Sequence, residues 1–172
     1  MAKLLVSFLV LILSAVPVHA NDLFNDELVE KDVLSIFEAM NNRDFKHLIK
    51  MTHPVVIDMM GGTETAVQQL EDAFNQFEMT SFKFTDIKLQ KPFQYHSGVN
   101  RDYAIVPMKC TFVLGDTTGD LEGFQLGVLE KNSKQWTFVD GDKLSAETLK
   151  PLFDDFPAGV SFPEIKKEIR EN

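Results

Sequence analysis

Residues 103–114 read YAIVPMKCTFVL and decide the class of fold. Apolar side chains occupy every second position, so that one face carries Ala104, Val106, Met108, Cys110, Phe112 and Leu114. Alternation with a period of two is typical of a strand that buries one face. Pro107 has no N–H to donate to a neighbouring strand, and we therefore expect it to face a bulge or an unpaired edge. The stretch predicts one long strand of a sheet.

Shorter alternating segments lie on both sides of this long strand. The alternation in residues 82–89 slips by one position, which predicts a bulge near Thr85 and Asp86. The segment 115–120 has the composition of a hairpin turn. Two more strands follow, one carrying Phe124, Leu126 and Val128 and a last one carrying Trp136 and Phe138. Consecutive strands joined by turns predict an antiparallel sheet.

Helical spacing dominates the chain before residue 80. Apolar residues recur on one helical face over residues 29–40, and Asp44 is a suitable N-cap for a second helix that ends near Thr52. A loop or short strand is predicted for residues 55–57. A third helix follows the glycine pair at residues 61–62. Helices followed by strands place the chain in the α+β class, with N-terminal helices packed on an antiparallel sheet.

The first twenty residues have the pattern of a secretory signal peptide. Lys3 precedes an apolar run, and the cleavage site ends at Ala20. The run is too short for a permanent membrane span, and Asn21 rather than a cysteine follows the site. We therefore expect an extracytoplasmic protein without permanent membrane insertion, either in a bacterial periplasm or secreted. The predicted organisation is a signal peptide over residues 1–20, one domain over residues 21–155 and a C-terminal tail over residues 156–172.

Charge and composition exclude several classes of site. The chain has 17 lysines and arginines against 26 aspartates and glutamates, a formal net charge of −9, which disfavours nucleic acid as a partner. Cys110 is the only cysteine, so no intramolecular disulfide can form, and its apolar strand favours a buried thiol. No pair of histidines or carboxylates has the spacing of a metal site, and we expect neither a metal nor a cofactor.

Three segments of the chain resemble the nuclear transport factor two-like family, also called the cystatin-like cone. They are AMNNRDF at residues 39–45, HPVVIDMMGG at residues 53–62 and WTFVD at residues 136–140. The family includes ketosteroid isomerases, polyketide cyclases and binding domains, and the glycine-containing segment is most similar to secreted bacterial members with no assigned activity. The resemblance covers residues 22–153. It implies helices packed on a strongly curved sheet, forming a cone with an interior pocket.

The resemblance also implies which side chains line that pocket. Its apolar wall is expected to contain Phe37, Met40, Met108, Cys110, Phe112, Phe124 and Trp136. Polar candidates are Tyr95, His96, Tyr103 and, as an acid–base set, His53, Asp58 and Asp140. Each member of the acid–base set also has an ordinary structural interpretation. The histidine can cap a helix end, and the two aspartates can hydrogen-bond neighbouring turns.

Two functions remain open at this point. The favoured one is a binding module, in which the pocket holds a small apolar molecule or the protein contacts a partner protein. The alternative is a cofactor-independent lyase or isomerase that uses His53 and an inward carboxylate for proton transfer. The apolar face of the first helix carries no tyrosine at the place where ketosteroid isomerases position their hydroxyl donor. This absence favours binding.

A homodimer is expected, because members of the family often pair through the outer face of the sheet. On that face the sequence places Tyr103, Ile105, Val113, Thr137 and Val139 beside Lys109 and Thr111. Such a mixture of apolar and polar side chains is typical of a surface that a second copy covers.

Overall fold

The computed structural model describes residues 23–76 and 81–171, and the predicted signal peptide lies outside these residues. In this part of the chain the helices come first: α1 (Asp26–Asn42), α2 (Phe45–Met51), α3 (Pro54–Met59) and α4 (Thr63–Gln76). The strands follow: β1 (Lys83–Leu89), β2 (Gln94–Ser97), β3 (Arg101–Leu114), β4 (Thr117–Glu130) and β5 (Thr137–Asp140). A 3-10 helix (Gly141–Lys143) and the short helix α5 (Ala146–Leu149) precede the strand β6 (Lys166–Glu171). The α+β prediction is confirmed, and none of the described helices is both long and apolar enough to cross a membrane.

Side-chain caps explain where the first two helices begin and end. The Asn25 side chain accepts a hydrogen bond from the Glu27 N–H at 2.9 Å and starts α1. Arg43 ends α1 in the left-handed region, with a φ of 57°. Asp44 then accepts from the His47 N–H at 3.0 Å. The predicted N-cap of α2 is thus confirmed, and α2 ends just before the predicted limit.

The prediction of a loop or short strand at residues 55–57 is wrong, because these residues lie within α3. Pro54 occupies the first helical position, where its missing N–H is not needed and its fixed φ suits a helix. The His53 ring accepts a hydrogen bond from the Val55 N–H at 3.2 Å and caps the helix. The cap and the proline outweigh the strand preference of the β-branched residues that follow.

The two longest strands, β3 and β4, form the centre of an antiparallel sheet. They are joined at Gly115 and Asp116, a tighter turn than the predicted segment 115–120. β1 and β2 pair with the other side of β3, and β5 and β6 pair with β4. The predicted bulge is confirmed, because the register of β1 shifts between Thr85 and Lys88, and Asp86 has a φ of 48°.

The surroundings of Pro107 also confirm the expectation from sequence. The ladder of β1 ends at Leu89 and that of β2 begins at Gln94, so Pro107 lies opposite the junction between these strands. Its carbonyl accepts from the Gln90 N–H at 2.8 Å. The nitrogen and carbonyl of a strand residue point to the same side. The nitrogen of Pro107, which has no hydrogen to donate, therefore points to the junction between β1 and β2, where no ladder of hydrogen bonds is interrupted.

The sheet buries apolar side chains on both of its faces. The inner face lies against the helices and forms the first core, to which β3 contributes Ala104, Val106, Met108 and Cys110. The outer face carries the second core, with Tyr103, Ile105, Phe124, Leu126 and Val128 almost completely buried.

Residues 149–165, here called the C-terminal segment, cover the outer face of the sheet. Leu149 and Phe153 are buried there, and Phe156, Val160, Phe162 and Ile165 are partly buried. Residues 156–172 were expected to form a tail. They instead include part of this cover and the strand β6, so that β5 is not the last strand. The cover forms because so large an apolar sheet face is unfavourable in water.

This cover bears directly on the expected homodimer. Tyr103 and Ile105 have no exposed surface, and Val139 is buried in the same core. The face expected to meet a second copy is thus occupied by the C-terminal segment of the same chain. Pairing through the sheet stays a prediction, and light scattering at micromolar concentration tests it.

Candidate functional site

A cavity of about 600 Å³ lies between the helices and the inner face of the sheet. Thirteen of its sixteen lining residues are apolar. The helical wall consists of Ile36, Phe37, Met40, Leu48, Ile49, Thr52, Val56, Met60 and Leu70. The sheet contributes Phe84, Met108, Leu121, Gln125, Phe138, Val139 and Asp140. We call this space the inner cavity.

β4 contributes little side-chain volume next to the inner cavity, where Gly123 lines a small adjoining pocket. Gly123 lies two residues before Gln125 and therefore on the same face of the sheet. A Cβ placed at Gly123 would meet no heavy atom within 4 Å. At Gly127, in contrast, a Cβ would lie 3.2 Å from the rings of both Phe138 and Trp136. The inner face is therefore tightly filled beside Gly127 and open beside Gly123.

Three polar side chains reach the wall of the inner cavity. The Thr52 hydroxyl donates to the Leu48 carbonyl at 2.9 Å. Asp140 accepts from the Asp142 N–H at 3.1 Å and caps the 3-10 helix, directly opposite Gln125 in the sheet. The side chain of Gln125 forms no hydrogen bond with any described residue, although the residue is only 8% exposed. Its amide is therefore available to a ligand.

The inner cavity contains some of the residues predicted for it and not others. Phe37, Met40 and Met108 line it as expected. Four further residues predicted for the wall lie elsewhere, namely Cys110, Phe112, Phe124 and Trp136. The polar group that sequence reasoning missed is Gln125. Its position between Phe124 and Leu126 predicts a solvent-facing side chain, because a polar residue between apolar ones usually points to water.

Phe124 lies on the opposite face of the sheet from the inner cavity. The register pairs it with Pro107 and pairs Gly123 with Met108, so the apolar set of β4 belongs to the second core. The Phe124 ring stacks on Phe162 of the C-terminal segment, with ring centroids 5.0 Å apart. The alternating pattern of β4 shows that its side chains divide between the two faces of the sheet, but it does not show which face lies against the helices.

Trp136 lies on the side of the sheet that faces the helices. It packs beside Gly127, where the inner face is tightly filled, and not in the wall of the inner cavity. It is completely buried, and its indole N–H donates to the Leu23 carbonyl at 3.1 Å. Its ring packs near those of Phe24 and Tyr95, with centroids 6.4 and 6.3 Å away. Trp136 is thus a core residue that holds the chain preceding α1.

Cys110 and Phe112 also belong to the packing on the inner face. Burial, with smaller effects from the charges of Asp120 and Asp140, raises the pKa of the Cys110 thiol to about 11. Such a thiol is protonated at neutral pH and a poor nucleophile. Phe112 packs on Phe82, with ring centroids 6.4 Å apart, near the hairpin end of the sheet.

His53 lies under the C-terminal segment and is not a wall residue of the inner cavity. Its Nδ1 accepts the capping hydrogen bond from Val55, and its ring meets Phe153 edge-on at 5.0 Å. Its Nε2 lies 3.6 Å from a carboxylate oxygen of Glu130. Burial lowers the pKa of His53 and outweighs the opposing effect of Glu130. The charged groups that act on this ring are Glu130 and Arg101, and neither predicted aspartate is among them.

The two aspartates of the predicted acid–base set lie in different surroundings. Asp58 is exposed on α3 and is not part of the wall of the inner cavity. Asp140 is in that wall and caps the 3-10 helix. Of His53, Asp58 and Asp140, the structure therefore places only Asp140 at the inner cavity.

The remaining polar candidates also lie away from this cavity. The Tyr95 hydroxyl donates to Asp26 at 2.9 Å, and burial together with Asp26 raises the pKa of Tyr95. His96 is half-buried on β2. Tyr103 lies in the second core, and its hydroxyl donates to Asp155 at 2.5 Å.

A polar cluster, which we call the Asp155 clamp, fastens the C-terminal segment to the start of β3. It consists of Asp155, Asn100, Arg101 and Tyr103. One carboxylate oxygen of Asp155 accepts from the Asn100 and Arg101 N–H groups at 2.7 and 3.0 Å. The other accepts from the Arg101 guanidinium at 2.9 Å and from the Tyr103 hydroxyl. Burial alone would raise the pKa of Asp155, but these hydrogen bonds outweigh it and lower the pKa to about 2.

Among the described residues, no group of three or more histidine, cysteine, aspartate or glutamate side chains is arranged to hold a metal ion. The wall of the inner cavity contains neither histidine nor cysteine. An apolar space with one unpaired amide is therefore the main chemical feature of the site. No protein-family model matches the chain, and no curated protein matches its sequence.

Proposed function

We propose that the protein binds a small, largely apolar molecule in the inner cavity. The observation that carries this proposal is an apolar space of about 600 Å³ with the amide of Gln125, which has no hydrogen-bond partner among the described residues, in its wall. Sites for small molecules typically measure about 300–1,000 Å³ and combine apolar walls with a few polar groups. A core that served stability alone would be packed to the density of a crystal, whereas the space beside Gly123 is open.

A binding role is favoured over catalysis by the residues of the wall. Proton transfer needs an acid and a base that face the same bound molecule. Among the described residues that line the inner cavity, Asp140 is the only one with an ionisable side chain, and His53 is engaged as a helix cap on the other side of the sheet. The lyase or isomerase alternative therefore lacks its second group among the described residues.

The proposed location is extracytoplasmic, in a periplasm or secreted. The signal-peptide pattern of residues 1–20 supports it, as does the resemblance of residues 53–62 to secreted nuclear transport factor two-like proteins. We also propose that the helices and the curved sheet form the cone of that family. The position of the inner cavity between these two layers supports this assignment.

A retained ligand is the first experimental test. The protein is purified without denaturation from the cells that produce it, and its native mass is compared with the mass after organic extraction. We expect an apolar compound to be released. The compound is then identified and added back to the extracted protein.

A cavity-filling variant tests the place of binding. We expect Gly123→Leu to fold, because a Cβ at this position meets no neighbour. Gly123 lines the small pocket that shares Met108 and Leu121 with the inner cavity, and a leucine there should extend into the space beside Gln125. Binding of Nile red, an uncharged dye that fluoresces in apolar surroundings, should weaken at least about tenfold. Val99→Leu is the matched control, since Val99 is 83% exposed. Unchanged dye affinity in a folded Gly123→Leu protein would contradict the proposed site.

A further inference from the structure

The unpaired amide of Gln125 indicates what the ligand carries at its polar end. Gln125 is 8% exposed, lines the inner cavity and finds no hydrogen-bond partner among the described residues. The amide faces the space of the inner cavity, where water can bond to it, and a ligand that displaces this water without replacing its hydrogen bonds leaves the amide unpaired at a cost. A ligand that supplies the missing partner removes that cost, so the amide favours ligands with a complementary group.

A hydroxyl complements an amide more fully than other uncharged groups of similar size. The amide side chain has an N–H donor and a carbonyl acceptor. A hydroxyl can accept from the first and donate to the second, whereas an ether or ketone oxygen can only accept. A site built around a hydrogen-bonded hydroxyl rejects analogues that lack it, because its own polar group is then left unpaired.

The charges around Gln125 disfavour an anionic ligand. Among the described residues that line the inner cavity there is no lysine, arginine or histidine, and Asp140 lies directly opposite Gln125 in the sheet. Lys167 lies in a small adjoining pocket, but its ammonium is already paired with Asp142 at 2.7 Å. A carboxylate would leave water for an apolar space in which no described lining residue supplies a cation, which is strongly unfavourable.

We propose that the inner cavity selects apolar molecules that end in an uncharged hydroxyl, with Gln125 as the residue that binds the hydroxyl. This inference rests on the proposed function. It assigns the ligand to the class of long-chain or cyclic alcohols and separates it from fatty acids of the same length.

Three probes of equal chain length test the selection. Dodecanol, dodecyl methyl ether and dodecanoate are used at pH 8 to displace Nile red from the mature protein. We expect dodecanol to bind about threefold to tenfold more tightly than the ether, which corresponds to one hydrogen bond to a neutral group. Dodecanoate should bind at least about tenfold more weakly than dodecanol.

One substitution tests the role of Gln125. Gln125→Met keeps the length of the side chain without its polar atoms, and it should remove the preference for dodecanol over the ether. Thermal unfolding confirms that the variant is folded, so that the affinity ratio is read on a native protein.

The outcomes distinguish this inference from the proposed function. Binding of Nile red with equal affinity for all three probes leaves the apolar site in place and overturns the selection for a hydroxyl. Dodecanoate binding as tightly as dodecanol, or a Gln125→Met protein with an unchanged preference for the alcohol over the ether, overturns it as well. Failure of the dye and of every probe to bind refutes both proposals.

Discussion

Replacing Asp155 with asparagine should release the C-terminal segment from the start of β3. Asp155 is the acceptor of all four hydrogen bonds in the Asp155 clamp, and its side chain is only 6% exposed. Asparagine has the same shape, but it removes the charge that pairs with Arg101 and replaces one acceptor oxygen with a donor. The Tyr103 hydroxyl or the guanidinium then loses its partner.

The magnitude follows from the pKa of Asp155. A decrease from the ordinary value of 3.8 to about 2 corresponds to about 2 kcal/mol of folding free energy at neutral pH. Because the folded state binds this proton less readily than the unfolded state, the contribution is complete above pH 5. It is lost as the pH falls from about 4 towards about 2. Roughly half should remain at pH 3.

Urea unfolding of the wild type and Asp155→Asn at pH 7 and pH 3 measures this contribution. We expect the variant to be less stable by about 2 kcal/mol at pH 7, with a clearly smaller difference at pH 3. Asp154→Asn is the matched control, because Asp154 also contacts Arg101 but its side chain is 86% exposed. Its cost should stay below about 1 kcal/mol. Equal stabilities of the two variants at pH 7 would refute the reasoning, as would a difference that does not change with pH.

Three further predictions concern the core, a close backbone approach and processing of the chain. Trp136→Ala should lower the free energy of unfolding by about 3–5 kcal/mol in urea, because the ring is completely buried; an unchanged midpoint would place the ring at the surface. Gly141→Ala should destabilise by about 1–3 kcal/mol, because its Cβ would lie 2.5 Å from the Phe124 carbonyl oxygen. Gly123→Ala should not, and similar unfolding midpoints for the two alanine variants would contradict the described packing. The exported protein should begin at Asn21, and an intact mass that retains residues 1–20 would overturn the signal-peptide prediction.

The elements that could be predicted from the sequence are those with an unambiguous local signal. The strict alternation of β3 predicts its two faces, and the slip in parity predicts the bulge at Thr85. Asp44 predicts the start of α2 because an N-cap needs only its own side chain and a nearby N–H. For α3 the β-branched residues indicate a strand, but the cap at His53 and the proline after it outweigh them.

The remaining features depend on contacts between distant parts of the chain. The C-terminal segment has no regular apolar period, so its role as a cover becomes visible only when the outer face of the sheet is known to be buried. The prediction of the site has the same weakness, because the sequence does not show which face of β4 lies against the helices. Once Phe124 is assigned to the inner face, Gln125 is assigned to the outer face, and the one unpaired amide of the inner cavity is missed. A one-residue change of parity reverses every such assignment in a strand.

The cover over the outer face of the sheet determines the order in which this protein can finish folding. The hairpin of β3 and β4 joins neighbouring residues and can close as soon as residues 101–130 have been made. Its outer face stays unprotected until the C-terminal segment, which begins at residue 149, has also been made. A nascent chain therefore carries an exposed apolar sheet in the interval between the completion of β4 and the synthesis of the C-terminal segment. We expect chaperones to bind the nascent chain mainly during that interval. A premature stop codon before residue 149 would leave the outer face of the sheet permanently exposed.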